Sequence, residues 1–387
     1  MLPARRSLQG AVVAHALHDG FTDMIYVLLP VWQAEFGLGY AALAALRGVY
    51  AGSMAAFQVP AGWLAERRLG GRTVLVAGTL LSALGYALAG FSGGLAALCA
   101  ALALSGIGSS TQHPLASAAV SRAYGSSARG PLGVYNFSGD LGKAALPALL
   151  ALLIAAMSWR SAVWLMAGFG VIAAAAIWSL LPRIDAAEPT VKATTGADRG
   201  GFGLLLGIGV LDSGVRMGFL TFLPFILKAK GAELPMIGFA FTLLFLGGAA
   251  GKFACGWLGA RFGVLATVLA TEIGTAAAIG AALILPLSPT LVLLPLLGVM
   301  LNGTSSVLYG TVPELVPGGK EARAFAIFYT GTIGSGALSP IVYGVLGHLF
   351  GYEWGVAAAA GAALLACPLA LLLAPRLKSE PDQEGAL

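Results

Sequence analysis

His15, Asp19 and Asp23 follow one another at i, i+4 and i+8, and Tyr26 extends the series. On a helix this spacing places all four on one face. An imidazole, two carboxylates and a phenol in a single stripe can bind and relay protons, or hold the polar groups of a solute. Asn136, Asp140 and Lys143 repeat the pattern at i, i+4 and i+7, and Asp212 and Arg216 stand at i and i+4. Within these sets, Asp140 can touch Lys143 and Asp212 can touch Arg216. Lys252 has only Gly248 and Gly256 one turn away on either side, so it should pair across a cavity or bind an anion. Arg47 lies at a depth that matches Asp23. This predicts a structural or gating pair, Asp23–Arg47, and leaves Asp19 as the better proton carrier, with Asp23, Asp140 and His113 as further candidates for proton coupling. His15, Tyr26, Arg47, Asn136, Lys143, Asp212, Arg216, Lys252, Asn302 and Tyr329 are the candidates for solute binding. Glu272 is expected to be protonated or bonded to a neighbouring helix, outside the mechanism.

The surroundings of these groups make them unusual. The chain of 387 residues is 58% hydrophobic and 10% charged, where soluble chains carry about 25% charge. Its mean hydropathy is +0.86 over the whole length. A soluble enzyme, a disulfide-rich secreted scaffold, a disordered chain and a nucleic-acid-binding protein are all excluded by this balance. A charged group at the centre of a bilayer costs at least about 2.5 kcal/mol on insertion scales, so it normally faces a cavity or a partner. Cys99, Cys255 and Cys367 lie in apolar runs without a partner at ligand spacing, and four histidines scattered over three segments make a poor metal site. No metal or cofactor is expected.

Twelve apolar segments can each cross a bilayer: 8–32, 41–65, 72–91, 94–118, 131–156, 159–181, 202–227, 235–258, 264–286, 290–314, 323–349 and 354–375. The first follows Arg5 and Arg6 as a signal peptide would, but it is too long and too polar and lacks a small-residue cleavage site, so it reads as a retained helix. The hydrophilic stretch 182–200 divides the chain into an N-terminal bundle, 1–181, and a C-terminal bundle, 201–387. Arg5, Arg6, Arg67, Arg68, Arg72, Arg122, Arg129, Arg183, Lys192, Arg199, Arg261, Lys320, Arg323, Arg376 and Lys378 fall on the side of the termini. Only Arg160, Lys228 and Lys230 fall on the other. By the positive-inside rule both termini are cytoplasmic, in an inner (cytoplasmic) membrane.

The two halves repeat. A shift of 194 residues carries Pro30 onto Pro224, Gly62, Trp63 and Leu64 onto Gly256, Trp257 and Leu258, Arg67 onto Arg261, Arg129 onto Arg323 and Tyr135 onto Tyr329. Parallel six-helix halves joined by a linker are the organisation of a transporter with its site between them. The run Gly62 to Arg72 (GWLAERRLGGR) resembles the signature loop of the major facilitator superfamily, and Gly256 to Gly263 (GWLGARFG) resembles its degenerate copy. The resemblance implies an all-α fold of two pseudo-symmetric six-helix bundles, inverted three-helix repeats in each half, and alternating access to a central cavity. A narrower resemblance, to the fosmidomycin-resistance branch, rests on His15 to Asp19 (HALHD), Leu28 to Pro30, His113–Pro114 and Gly139 to Pro147 (GDLGKAALP). Leu115, Asp140, Lys143 and Leu146 depart from that branch, and Leu102 stands where many proton antiporters of the superfamily carry an arginine. Glu66, Arg67 and Arg129 are expected to form a gating cluster, with Arg261 as a weaker symmetric contact.

The expected function is therefore a secondary active transporter, proton-coupled, exporting a small polar or anionic compound or drug as a monomer in the lipid bilayer. The runner-up is proton-coupled import of an organic acid, siderophore or other metabolite. An intramembrane enzyme lacks its constellation here, with no HExxH and no paired cysteines. A channel lacks its repeated pore loop, and no nucleotide-binding loop is present.

Overall fold

The computed structural model describes residues 2–183, 201–316 and 321–377, except for the side chains of Leu2, Ser126, Arg129, Glu321, Ala322, Arg323 and Ala326. Most of the expected linker, 184–200, and the side chain of Arg129 thus lie outside the described residues. All regular structure among the described residues is helical. The N-terminal half holds α1 (Leu2–Phe36), α2 (Tyr40–Leu64), α3 (Gly71–Ala89), α4 (Leu95–Ser109), α5 (Gln112–Tyr124), α6 (Arg129–Ala156) and α7 (Trp159–Leu180). The C-terminal half holds α8 (Phe202–Ala229), α9 (Leu234–Ile284), α10 (Leu287–Thr311), α11 (Glu321–Phe350) and α12 (Tyr352–Leu373).

Nine of the described helical stretches are long and apolar enough to cross a membrane. One of them, α9, contains two spans. It turns at Gly263, where φ is 80° and ψ is 165°, a backbone region that a residue with a Cβ rarely adopts. Gly70, with φ 76°, makes the corresponding turn between the second and third spans. With α1 and α2, the more polar pair, the chain has the twelve spans expected. The fourth span is broken into α4 and α5 at Ser110 and Thr111. Pro114 cannot donate to Ser110 O one turn back, and the hydroxyls of Ser110 and Thr111 fold back onto Ile107 O at 2.6 Å and Gly108 O at 3.1 Å.

Small residues bring the helices together, as apolar bundles in lipid require. A Cβ on Gly142 of α6 would lie 1.9 Å from Ala16 O of α1, and Cβ atoms on Gly247 and Gly251 would run into the α10 backbone at Pro295 and Val299. The halves meet in two seams. In one, α2 lies on α11: a Cβ on Gly48 would come within 2.7 Å of Ile341, and one on Gly344 within 2.4 Å of the Ala44 methyl. In the other, α6 lies on α9: Gly238 accepts Ala148 and Ala151 against its bare Cα, and Thr242 Oγ1 donates to Ala144 O at 2.6 Å.

Both seams part towards the end that carries the chain termini. The α2 stripe through Ala41, Ala44 and Gly48 continues by helical periodicity to Gly52 and Val59. No atom lies within 4 Å of a Cβ built on Gly52, and Val59 is 82% exposed. On α11 the stripe through Ile341 and Ala337 reaches Gly334, also open, and Ile327, which is exposed. At the opposite end Tyr40 packs on Phe222, Phe225 and Tyr352. The molecule is closed there and open at the terminal end.

Candidate functional site

Where the seams begin to part, the α1 stripe meets the charges of α6 and α9. Asp19 stands at the midpoint of α1 and is buried. Its Oδ2 lies 3.1 Å from Lys143 Nζ and 3.3 Å from His15 Nε2, and its Oδ1 lies 3.8 Å from His18 Nε2. Asp140, also buried, takes Lys252 Nζ on both oxygens at 2.6 and 2.7 Å. Lys143 stands 4.0 Å from Asp140. The result is a row of alternating charge, Asp19, Lys143, Asp140, Lys252, which begins on α1, crosses α6 and ends on α9 in the other half. The lysine side chains, 27% and 35% exposed, are its wettest members.

Local structure fixes the orientation of the row. Tyr135 O bonds to His15 Nδ1 at 2.9 Å, which leaves Nε2 directed at Asp19. The Tyr135 ring stacks on the His15 ring with centroids 4.1 Å apart. The break between α4 and α5 sets His113 edge-on to both His15 and His18, at 5.3 and 4.7 Å between centroids. Three of the four histidines therefore converge on Asp19, although sequence spacing alone made them scattered. Ligand atoms of His15, Asp19 and His113 all lie within 4.8 Å of one another, close enough for one metal ion to bridge. The Lys143 ammonium already supplies a positive charge at that place.

Two expected ion pairs are not formed. Asp23 and Arg47 do not approach within 4 Å. The Arg47 Nε–H donates to Tyr26 Oη at 3.1 Å, and its Nη2 contacts the sulfur of Met217, from the other half, at 3.8 Å. Its guanidinium lies against the rings of Tyr26 and Tyr50, and its Nη1 is buried with no partner. Tyr26 is engaged on all sides: its hydroxyl donates to Met217 Sδ at 3.4 Å and its ring stacks on Phe241 of α9. It closes the top of the cleft and does not line it. Asp212 likewise does not pair with Arg216 one turn along. Its carboxyl lies within hydrogen-bonding reach of Glu272, whose own carboxyl also reaches Thr304. Matching depth set Arg47 against Asp23, but Tyr26, one turn along the same helix, takes its Nε–H, and the i, i+4 spacing that set Asp212 against Arg216 is overridden by Glu272 on a neighbouring helix.

The remaining candidates are less central. Asn302 is buried and donates to Gly298 O of its own helix at 3.3 Å, facing α9 at Gly248. Tyr329 is exposed and stacks on Tyr309 at 4.8 Å, and Asn136 is exposed on α6. Glu66, Arg67 and Arg261 are exposed at the open end, and Arg261 lies over Trp257 and Phe262. Sequence reasoning missed Met217 altogether. It also missed the hydroxyl chain Thr22, Tyr50, Ser109, Ser82, Ser105, linked at 2.7–3.2 Å behind the site. The polar run at Ser109 was its only signal.

Two helical halves that seal at one end, part at the other and carry buried charges at their junction define a membrane carrier. A profile of the Major Facilitator Superfamily matches residues 11–208 and again 204–386. The chain belongs to that superfamily and is a transporter, not an enzyme. No curated protein matches it. Among solved structures it is similar to a bacterial homologue of the human lysosomal transporter Spinster in an inward-facing, unoccupied conformation (TM-score 0.81, 14% identity, 98% of this chain and 99% of that one). It is also similar to the nucleoside transporter NupG (0.78, 13%, 96% and 100%) and to a peptide transporter, POT, in complex with sulfate (0.79, 14%, 96% and 94%). At these identities the likeness is one of fold.

Proposed function

We propose that the chain is a proton-coupled secondary transporter that exports a small polar or anionic organic solute. The observation that carries this reading is the charge row from Asp19 through Lys143 and Asp140 to Lys252, which ties the two halves together where the cleft ends. A proton on Asp19 cancels the charge that holds Lys143. The freed ammonium then competes with Lys252 for Asp140, and Lys252 becomes available to an anionic solute in the cleft. Binding and proton transfer thereby act on the same inter-half contact. His15, His18 and His113 surround Asp19 and give protons a path to it. The excess of Lys and Arg near the terminal end supports a cytoplasmic position for that end by the positive-inside rule; in that orientation the open cleft loads cargo from the cytoplasm for export. Each half supplies one wall of the cleft, and a single copy suffices.

The test uses proteoliposomes loaded with a pH-sensitive dye, to which small carboxylates and phosphonates are added under an imposed pH gradient. Wild-type protein should move protons in step with at least one such solute. Asp19→Asn should reduce gradient-driven accumulation by at least about 10-fold while solute counterflow persists. Full coupling in that variant removes Asp19 from the mechanism.

A further inference from the structure

Above the charge row, at the closed end of the cleft, three charged groups have bonding capacity that the protein leaves unused. Arg47 is 2% exposed, and one of its terminal nitrogens, Nη1, has no partner. Arg216, on α8 of the other half, has a buried Nε–H without a partner. Asp23, 4% exposed, makes no ion pair within 4 Å, although Lys143, Arg47 and Arg216 are all close enough to act on it electrostatically. Arg216 is also close enough to act on Tyr26, the residue that holds Arg47. Two guanidinium donors from opposite halves and one carboxylate acceptor thus share a buried region, with gaps of more than 4 Å where direct pairs would otherwise form. Buried polar groups are normally bonded, and each one left without a partner calls for an explanation.

The charge balance narrows the occupant. Arg47, Lys143, Arg216 and Lys252 are matched by Asp19, Asp23, Asp140 and the hydrogen-bonded Asp212–Glu272 pair, which carries one negative charge when its two carboxyls share a proton. While Asp19 is ionised, a net anion or net cation placed there would leave an uncompensated charge inside the membrane. A molecule with one charge of each sign would not. We propose that Asp23, Arg47 and Arg216 form a binding site for a small zwitterion, whose ammonium group bonds Asp23 and whose carboxylate or phosphonate bonds Arg47 and Arg216. This inference rests on the transporter reading above and specifies its solute. Because Arg47 and Arg216 belong to different halves, one oxyanion between them also joins the halves, so the site favours binding when the far end is shut.

The test is isothermal titration of the full chain in lipid nanodiscs with matched probes: 3-aminopropylphosphonate against propylphosphonate and propylamine, and 4-aminobutyrate against butyrate. At least one zwitterion should bind about 10-fold or more tighter than both of its singly charged analogues, the factor expected for one charge-assisted hydrogen bond. Asp23→Asn should bring that zwitterion down to the affinity of the anion and leave the anion unchanged. Arg47→Lys should weaken zwitterion and anion alike. Equal binding of zwitterion and anion by the wild-type chain overturns the proposal, as does the absence of zwitterion binding. The comparison of probes needs no variant and holds even if Asp23→Asn does not fold. A chain that couples protons to simple anions, with no preference for the ammonium group, would sink this site and keep the proposed function. Loss of all gradient coupling would sink the proposed function while the titrations still decide this one.

Discussion

Asp140 on α6 and Lys252 on α9 meet at 2.6 Å across the seam between the two halves, on the open-end side of the Thr242–Ala144 bond. Neighbouring residues on both helices towards that end, Phe137 and Phe253, are already exposed. Under the proposed function, the pair stands where further opening of the cleft would first part the halves.

Lys252→Met should cost little stability and much transport. The lysine is about a third exposed, so screening limits the pair to roughly 1 kcal/mol or less. Asp140 also retains Lys143 4.0 Å away. Thermal unfolding should shift by only a few degrees while counterflow falls by at least about 10-fold. A large loss of stability together with normal transport would show that the pair is structural.

Gly48 and Gly52 lie on one stripe of α2 and should respond oppositely to added bulk. A leucine at Gly48 collides with Ile341 and the Ala337 carbonyl, so Gly48→Leu should pry the closed end apart. A leucine at Gly52 meets nothing in this conformation. Gly52→Leu should leave the present state intact and obstruct the opposite one, in which the α2 and α11 stripes must close. Spin-label distances across each end would read this directly. Equal distance distributions for the two variants would refute the two-seam description.

Glu272→Gln should be nearly neutral for folding and Glu272→Ala costly. The amide can donate to Asp212 from the same position and can still meet Thr304. Alanine leaves the buried Asp212 carboxyl on α8 without its partner, a loss of about 1–3 kcal/mol. Unfolding midpoints of the two variants in one detergent give the comparison, and equal losses would argue against the hydrogen bond.

Tyr26→Phe removes the hydroxyl that accepts from Arg47. The guanidinium would then have two nitrogens without good partners in a buried site, and stability should fall by about 1–3 kcal/mol. Tyr26→Phe with Arg47→Met should recover part of that loss, measured as a double-mutant cycle.

The spans were legible in the sequence because a bilayer imposes one length and one composition on them. The α1 stripe was legible because i, i+4 spacing is a property of the helix itself. Partners across helices were not. Asp212 chose Glu272 over Arg216, Arg47 chose Tyr26 over Asp23, and three histidines gathered from two spans, because these contacts depend on how helices rotate and cross. The depth match between Arg47 and Asp23 was sound, but depth fixes only one coordinate of three. The broken fourth span was visible only as Pro114, and its consequence, the aim of His113 at α1, required the surrounding bundle.

Met217 accepts from the Tyr26 hydroxyl and from the Arg47 guanidinium Nη2 through its thioether sulfur, a weak acceptor. The two halves are thus joined at the closed end of the cleft by two contacts that let go easily. An oxygen acceptor at that position would grip the same donors harder and would have to be broken on every cycle. In the transport cycle proposed above, a soft sulfur would keep the joint occupied at little cost to its release.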